Sequence, residues 1–65
     1  MKKIEIDRKY LGIGDKFNFV NSSESYKYIG LYSYNHIDYF LYKDVSGVKA
    51  YILLLEDVKT VEIYP

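Results

Sequence analysis

Few residues in this chain could do chemistry, and they are unevenly placed. Nine tyrosines and three phenylalanines stand beside one histidine and no cysteine or tryptophan. Tyr28, Tyr32, Tyr34 and Tyr39 share one stretch, with Lys27 and Lys43 flanking and His36 between. Tyrosines on a sheet surface supply large contact area at low entropy cost, the chemistry of protein interfaces. Rings flanked by lysines can instead stack on the bases of a single strand. His36 and Asp38 come nearest to an acid–base pair. No nucleophile accompanies them, and a catalytic histidine needs an orienting carboxylate and a pocket. Glu56 and Asp57 are adjacent, so on a strand they point to opposite faces and cannot act on one substrate. Gly12-x-Gly14 lacks the third glycine of a nucleotide loop and no helical pattern follows it. The two glycines read as backbone positions needing positive φ. Ser22, Ser23 and Ser25 lie in a small polar loop and serve turn hydrogen bonds rather than nucleophilic attack.

Length and composition narrow the field further. Sixty-five residues make a single domain, 1–65. A chain this short buries only about 60% of the surface its unfolded form exposes. Its margin of stability is roughly 3–5 kcal/mol. Without cysteine there is no disulfide or thiolate metal site, and a lone His36 builds no zinc site. No cofactor and no metal are expected. Formal net charge is zero, which argues against a dedicated nucleic-acid binder, whose affinity rests on neutralising phosphates. The start of the chain is mildly basic and its end mildly acidic, and the two are expected to lie side by side. Lys2 and Lys3 lead into charged residues rather than an apolar run, so no signal peptide is read. The longest apolar run, Ala50 to Leu55, is too short to span a bilayer, and a cytoplasmic location is expected. Lys, Ile, Tyr, Asn and Phe are favoured, while Arg, Ala and Pro occur once each. Those preferences suit AT-rich codons and suggest a phage or plasmid origin.

The elements that must position the tyrosines are strands. Tyr26 to Tyr34 and Ile37 to Lys43 are rich in aromatic and β-branched residues and alternate with period two, which predicts a β-hairpin. A two-residue Asn35-His36 turn pairs Tyr34 with Ile37 and sets Ile29 and Leu31 beside Phe40 and Tyr42. A three-residue loop shifts the pairing by one and sets them beside Tyr39 and Leu41. The tighter turn is preferred. Either way Tyr28, Tyr32 and Tyr34 form one row and Ile29 and Leu31 the opposite, core-facing one. Further strands are predicted at 2–7, 16–20, 48–55 and 60–64. Asp44 to Gly47 reads as a turn. A short helical turn is expected at Glu56 to Lys59, with a longer helix over 52–61 as the alternative. The predicted core is Ile6, Phe17, Phe19, Ile29, Leu31, Ile52, Leu54 and Val61.

Five to six short strands joined by tight turns predict an all-β fold, a small antiparallel barrel. Ile13-Gly-Asp-Lys-Phe17 resembles the hydrophobic-Gly-Asp-x-hydrophobic start of Src-homology-3-like, KOW and Tudor barrels. Leu55 to Val61 resembles the helical turn before their last strand. The resemblance implies such a barrel over residues 13–64. It implies no ligand, because this chain lacks the tryptophan and acidic loop of the peptide-binding members, and function does not follow from fold alone.

The resulting expectation is a non-enzymatic intracellular protein-binding module, in its sharper form a phage- or plasmid-encoded inhibitor of a host protein. Its binding residues would be Tyr28, Tyr32, Tyr34, Tyr39 and His36. The partner would be another protein or a second copy forming a homodimer. Single-stranded nucleic-acid binding through the tyrosine face and a purely structural, self-associating role are the alternatives.

Overall fold

The computed structural model describes residues 2–64. Six strands form one antiparallel sheet: β1 (Ile4–Asp7), β2 (Lys16–Phe19), β3 (Ser25–Tyr34), β4 (Ile37–Asp44), β5 (Ala50–Leu54) and β6 (Thr60–Ile63). Their order across the sheet is β1-β6-β2-β3-β4-β5. Among the described residues the only helical pieces are 3-10 turns at Arg8–Tyr10 and Leu55–Asp57. The fold is therefore all-β. The helical turn before the last strand is present, shifted by one or two residues from 56–59. Beyond it Val58 is extended, so the longer helix over 52–61 does not form. β1 and β5 are the two edges, and among the described residues no ladder joins them, so the sheet is open. The basic start and acidic end are side by side, since β1 pairs with β6 and Lys3 lies 3.4 Å from Glu62.

The hairpin turns at Asn35-His36. Tyr34 pairs with Ile37, Ser33 with Asp38, Tyr32 with Tyr39 and Leu31 with Phe40, the register of the two-residue turn. Asn35 and His36 have φ of 55° and 65°, the left-handed pair that matches the twist of a tight hairpin. Further from the tip the register shifts. Gly30 pairs with Leu41 but Tyr28 pairs with Tyr42, so Ile29 and Gly30 together oppose one residue. This is a β-bulge, and it bends the longest strand of the sheet. Gly30 has φ +136°, a conformation that L side chains rarely adopt.

The bulge overturns part of the predicted face assignment. Side chains alternate along a strand, so one inserted residue exchanges the faces beyond it. Below the bulge Tyr26 and Tyr28 face the core. Above it Tyr32 and Tyr34 face the other way. Tyr28 therefore leaves the expected tyrosine row. It is buried and its ring stacks on Phe40 at 5.0 Å. Leu31 is paired with Phe40 but lies beyond the covered part of that face, and it is 57% exposed. Ile29 is half-buried outside the core cluster. On β5 the reversal has a different cause. Tyr51 and Leu53 face inward because they pair with Tyr42 and Phe40, and this turns Ile52 and Leu54 outward.

Leu11, Phe17, Tyr28, Phe40, Tyr42, Val58 and Val61 make the core, with Ile6, Phe19, Tyr26, Tyr51, Leu53 and Leu55 packed against it. Phe17 and Phe40 come from strands separated by β3, yet their ring centroids are 5.6 Å apart. Flat strands two apart would stand about 9.5 Å from each other. The sheet therefore curls, and its concave face gathers the rings. Phe17–Phe19, Phe19–Tyr42 and Tyr26–Tyr42 meet edge to face at 5.2, 5.1 and 5.0 Å. Each such pair contributes about 0.5–1.5 kcal/mol beyond area burial.

Phe40→Ala is expected to cost about 3–5 kcal/mol, as large as the whole margin of so small a domain. Leu31→Ala should stay within about 1 kcal/mol of the parent. Urea unfolding followed by circular dichroism distinguishes the two, and equal damage would return Leu31 to the core.

Candidate functional site

The face opposite the core is built by the register of β3, β4 and β5. Tyr32 pairs with Tyr39, which pairs with Leu54. Leu41 pairs with Ile52 on one side and Gly30 on the other. Tyr34 and Ile37 continue this face to the hairpin tip. Tyr34, Ile52 and Tyr32 are 64%, 55% and 48% exposed, and Ile37 and Leu54 are also exposed. Tyr32 and Tyr34 hold their rings nearly parallel, 9° apart in plane, with centroids 6.5 Å apart. Tyr39 lies 6.3 Å from Tyr32.

The stretch before β2 supports this face. Gly14 N–H donates to the Tyr28 carbonyl at 2.8 Å, and Tyr28 N–H donates to the Asp15 carbonyl at 2.9 Å. These bonds extend the β2–β3 pairing up to the bulge. They also carry Ile13 over Gly30, where an added Cβ would stand 3.5 Å from the Ile13 side chain. Gly14 takes φ +94°, as expected of it, whereas Gly12 is not among the positive-φ residues.

Of the five expected binding residues, the structure brings Tyr32, Tyr34 and Tyr39 together on one exposed face, and His36 stands at their edge on the hairpin tip. Tyr28 belongs to the core. The sequence reading missed Ile37, Leu41, Ile52 and Leu54 as neighbours of the tyrosines. The signal was present in β5, which is apolar on both faces.

A groove of about 470 Å³ runs under the hairpin tip, lined by Arg8, His36, Ile37, Asp38, Leu54, Leu55 and Glu56. Arg8 is held there by its Nε, which donates to the Val58 carbonyl at 2.6 Å. Asp38 accepts a hydrogen bond from the Ser33 hydroxyl. That bond ties Ser33 to a carboxylate rather than to His36, so the three do not form a nucleophile–base relay. Among the described residues no group of three or more His, Asp or Glu side chains gathers where it could hold a metal ion.

The tyrosines of the concave face are electrostatically distinct. The Tyr26 hydroxyl donates to the Glu24 carboxylate at 2.9 Å. That bond, with burial, pushes the Tyr26 pKa up to about 12. Burial raises Tyr28, with Arg8 opposing, and raises Tyr42. Burial first, and then the Asp44 carboxylate, raise Tyr51. Asn18 on β2 is buried although polar. Its amide donates to the Ser22 carbonyl at 3.2 Å and accepts from the Ser25 hydroxyl at 2.9 Å, closing the polar loop over the sheet.

Comparison with protein-family models, with curated proteins and with solved structures gives no match to this chain.

His36 sits in the left-handed region that glycine prefers in this turn, so His36→Gly should stabilise the fold by about 0.5–1 kcal/mol in urea unfolding. An alkaline titration tests the concave tyrosines. The fold favours the protonated phenol of Tyr26, so its contribution is complete below the ordinary value of 10 and is lost as pH rises from there through about 12. Tyrosinate absorbance and circular dichroism recorded together should therefore show late ionisation accompanied by unfolding.

Proposed function

We propose that the chain is a non-enzymatic, cytoplasmic module that binds another protein through the outer face of β3, β4 and β5. The observation that carries this reading is the set of large apolar side chains left uncovered on that face: Tyr32, Tyr34, Ile37, Ile52 and Leu54. They are contiguous by strand pairing rather than scattered. Contiguous exposed apolar surface on a small protein marks an interaction site, and tyrosine is enriched at interface centres. The sharper form of this reading is a phage- or plasmid-encoded inhibitor that occupies a host protein, supported by small size and AT-favoured composition. A Src-homology-3-like barrel, open at one seam, is the fold reading that goes with it. Its support is the strand order β6-β2-β3-β4-β5, the bent β3 and the 3-10 turn before β6. Self-association is a related form, since among the described residues β1 and β5 are the two edge strands of the sheet.

Single-stranded nucleic-acid binding is the second reading. The near-parallel Tyr32 and Tyr34 rings favour it, because successive rings are what bases stack on.

The test compares stability with binding. Tyr32→Ala and Tyr34→Ala should each shift unfolding by under about 1 kcal/mol, because these side chains stand outside the core. Each should weaken binding to a purified partner, first captured from a host lysate and identified by mass spectrometry, by about 2 kcal/mol. Variants that unfold as Phe40→Ala does, or that bind the partner unchanged, defeat the reading.

A further inference from the structure

We propose that the partner of the outer face is an acidic protein, whose carboxylates sit over a row of three lysines while its apolar side chains cover Tyr32, Tyr34, Ile52 and Leu54. This rests on the reading of that face as a protein-binding surface and names the chemistry of what binds. Lys16 is the cross-strand partner of Lys27, and Lys27 is the partner of Lys43. All three lie on the outer face, because their neighbours Phe17, Tyr26, Tyr28 and Tyr42 belong to the core side. Strand spacing places the three Cα atoms within about 10 Å.

Like charges directly opposite one another in a sheet are destabilising. A carboxylate paired with the row would relieve it, but among the described residues none of the three lysines forms an ion pair. Among the described residues the only ion pair is Lys3–Glu62, at the β1–β6 end of the sheet. The acidic residues of the outer face on β1 and β6 are Glu5, Asp7 and Glu62, and Glu62, diagonal to Lys16 through its partner Asn18, is engaged by Lys3. Threonine at position 27 would suit a strand better and remove the repulsion. A concentration of positive charge that works against the fold is complementary to anionic groups from outside.

Layout decides between carboxylate and phosphate. A nucleotide carries its phosphate and its base in one unit, so a strand-binding sheet needs basic and aromatic side chains interleaved. Here they are segregated. The Tyr32–Tyr39 pair lies four residues along β4 from the Lys27–Lys43 pair, about 13 Å away. The gap is filled by Leu41 and by Ile13 over Gly30. A polar margin beside an apolar centre is the plan of a protein–protein interface.

Fluorescence anisotropy with labelled poly-L-glutamate and with a labelled oligothymidylate, each at low and at physiological salt, tests the proposal, alongside the captured partner. The full chain should bind poly-L-glutamate with an affinity that falls as salt rises. The Lys27→Gln/Lys43→Gln variant should bind both poly-L-glutamate and the partner about tenfold more weakly. With no polyanion present the same variant should melt at a higher temperature than the parent. Lys9→Gln, outside the row, should change neither. Unchanged binding in the double variant overturns the acidic partner, and if Tyr34→Ala still weakens capture the interface itself stands. If the lysine variant loses binding and Tyr34→Ala does not, the joint surface is overturned and the tyrosine reading falls with it. Oligothymidylate bound more tightly than poly-L-glutamate, and lost in Tyr32→Ala, assigns the face to nucleic acid instead.

Discussion

The one-residue bulge at Ile29-Gly30 is the constraint on which the rest of this structure depends. β3 runs from the curled, covered part of the sheet to the free hairpin tip. Without the bulge its alternation would put Tyr26, Tyr28, Tyr32 and Tyr34 on one face. With it, Tyr26 and Tyr28 join the core while Tyr32 and Tyr34 face away from it. The bulge also bends the strand, which the concave face requires if Phe17 and Phe40 are to meet across β3. The bend is held on both sides. Gly30 supplies a backbone conformation closed to other residues, and Gly14 and Asp15 clamp Tyr28 from the neighbouring segment.

A core of rings suits a chain this small. Aliphatic side chains could not reach across a strongly curved sheet with so few residues, whereas Phe17, Phe19, Phe40, Tyr26, Tyr42 and Tyr51 meet edge to face from four strands. Tyrosine serves here as an amphipathic filler. Its ring packs inward while its hydroxyl emerges at the rim, where Tyr26 finds Glu24. The same residue type thus does opposite work on the two faces. Inside it replaces leucine, and outside, at Tyr32 and Tyr34, it remains uncovered.

The strands, the Asn35-His36 turn and the all-β class were legible in the sequence because each rests on local chemistry: period-two alternation, and a turn that must take positive φ. Face assignment was not. Alternation states that Ile52 and Tyr51 oppose each other, but which of them faces inward depends on pairing with Phe40 and Tyr42 on a neighbouring strand. For Tyr28 the missing knowledge was the bulge. Gly30 signalled it, since glycine in a strand marks a bend as readily as a gap. Of the candidate site, Tyr32, Tyr34, Tyr39 and His36 were readable as a hairpin tip. Their aliphatic neighbours on β5 were hidden because that strand is apolar on both sides. The row of Lys16, Lys27 and Lys43 becomes visible only once three strands are in register.

The interior position of β6, between β1 and β2, bears on how the chain folds. Residues 60–63 lie between β1 and β2, pairing with residues some 55 or 40 positions earlier. The strands from β2 to β5 follow one another as neighbours and close only short loops. Loop-closure entropy therefore favours that meander first and leaves the insertion of β6 as the late, long-range step. Until it occurs, Val61, a fully buried side chain, is absent from the core, and one edge of β2 is bare. A nascent chain shorter than residue 60 thus exposes phenylalanines and an unpaired strand edge together, the combination on which intermolecular sheet growth feeds.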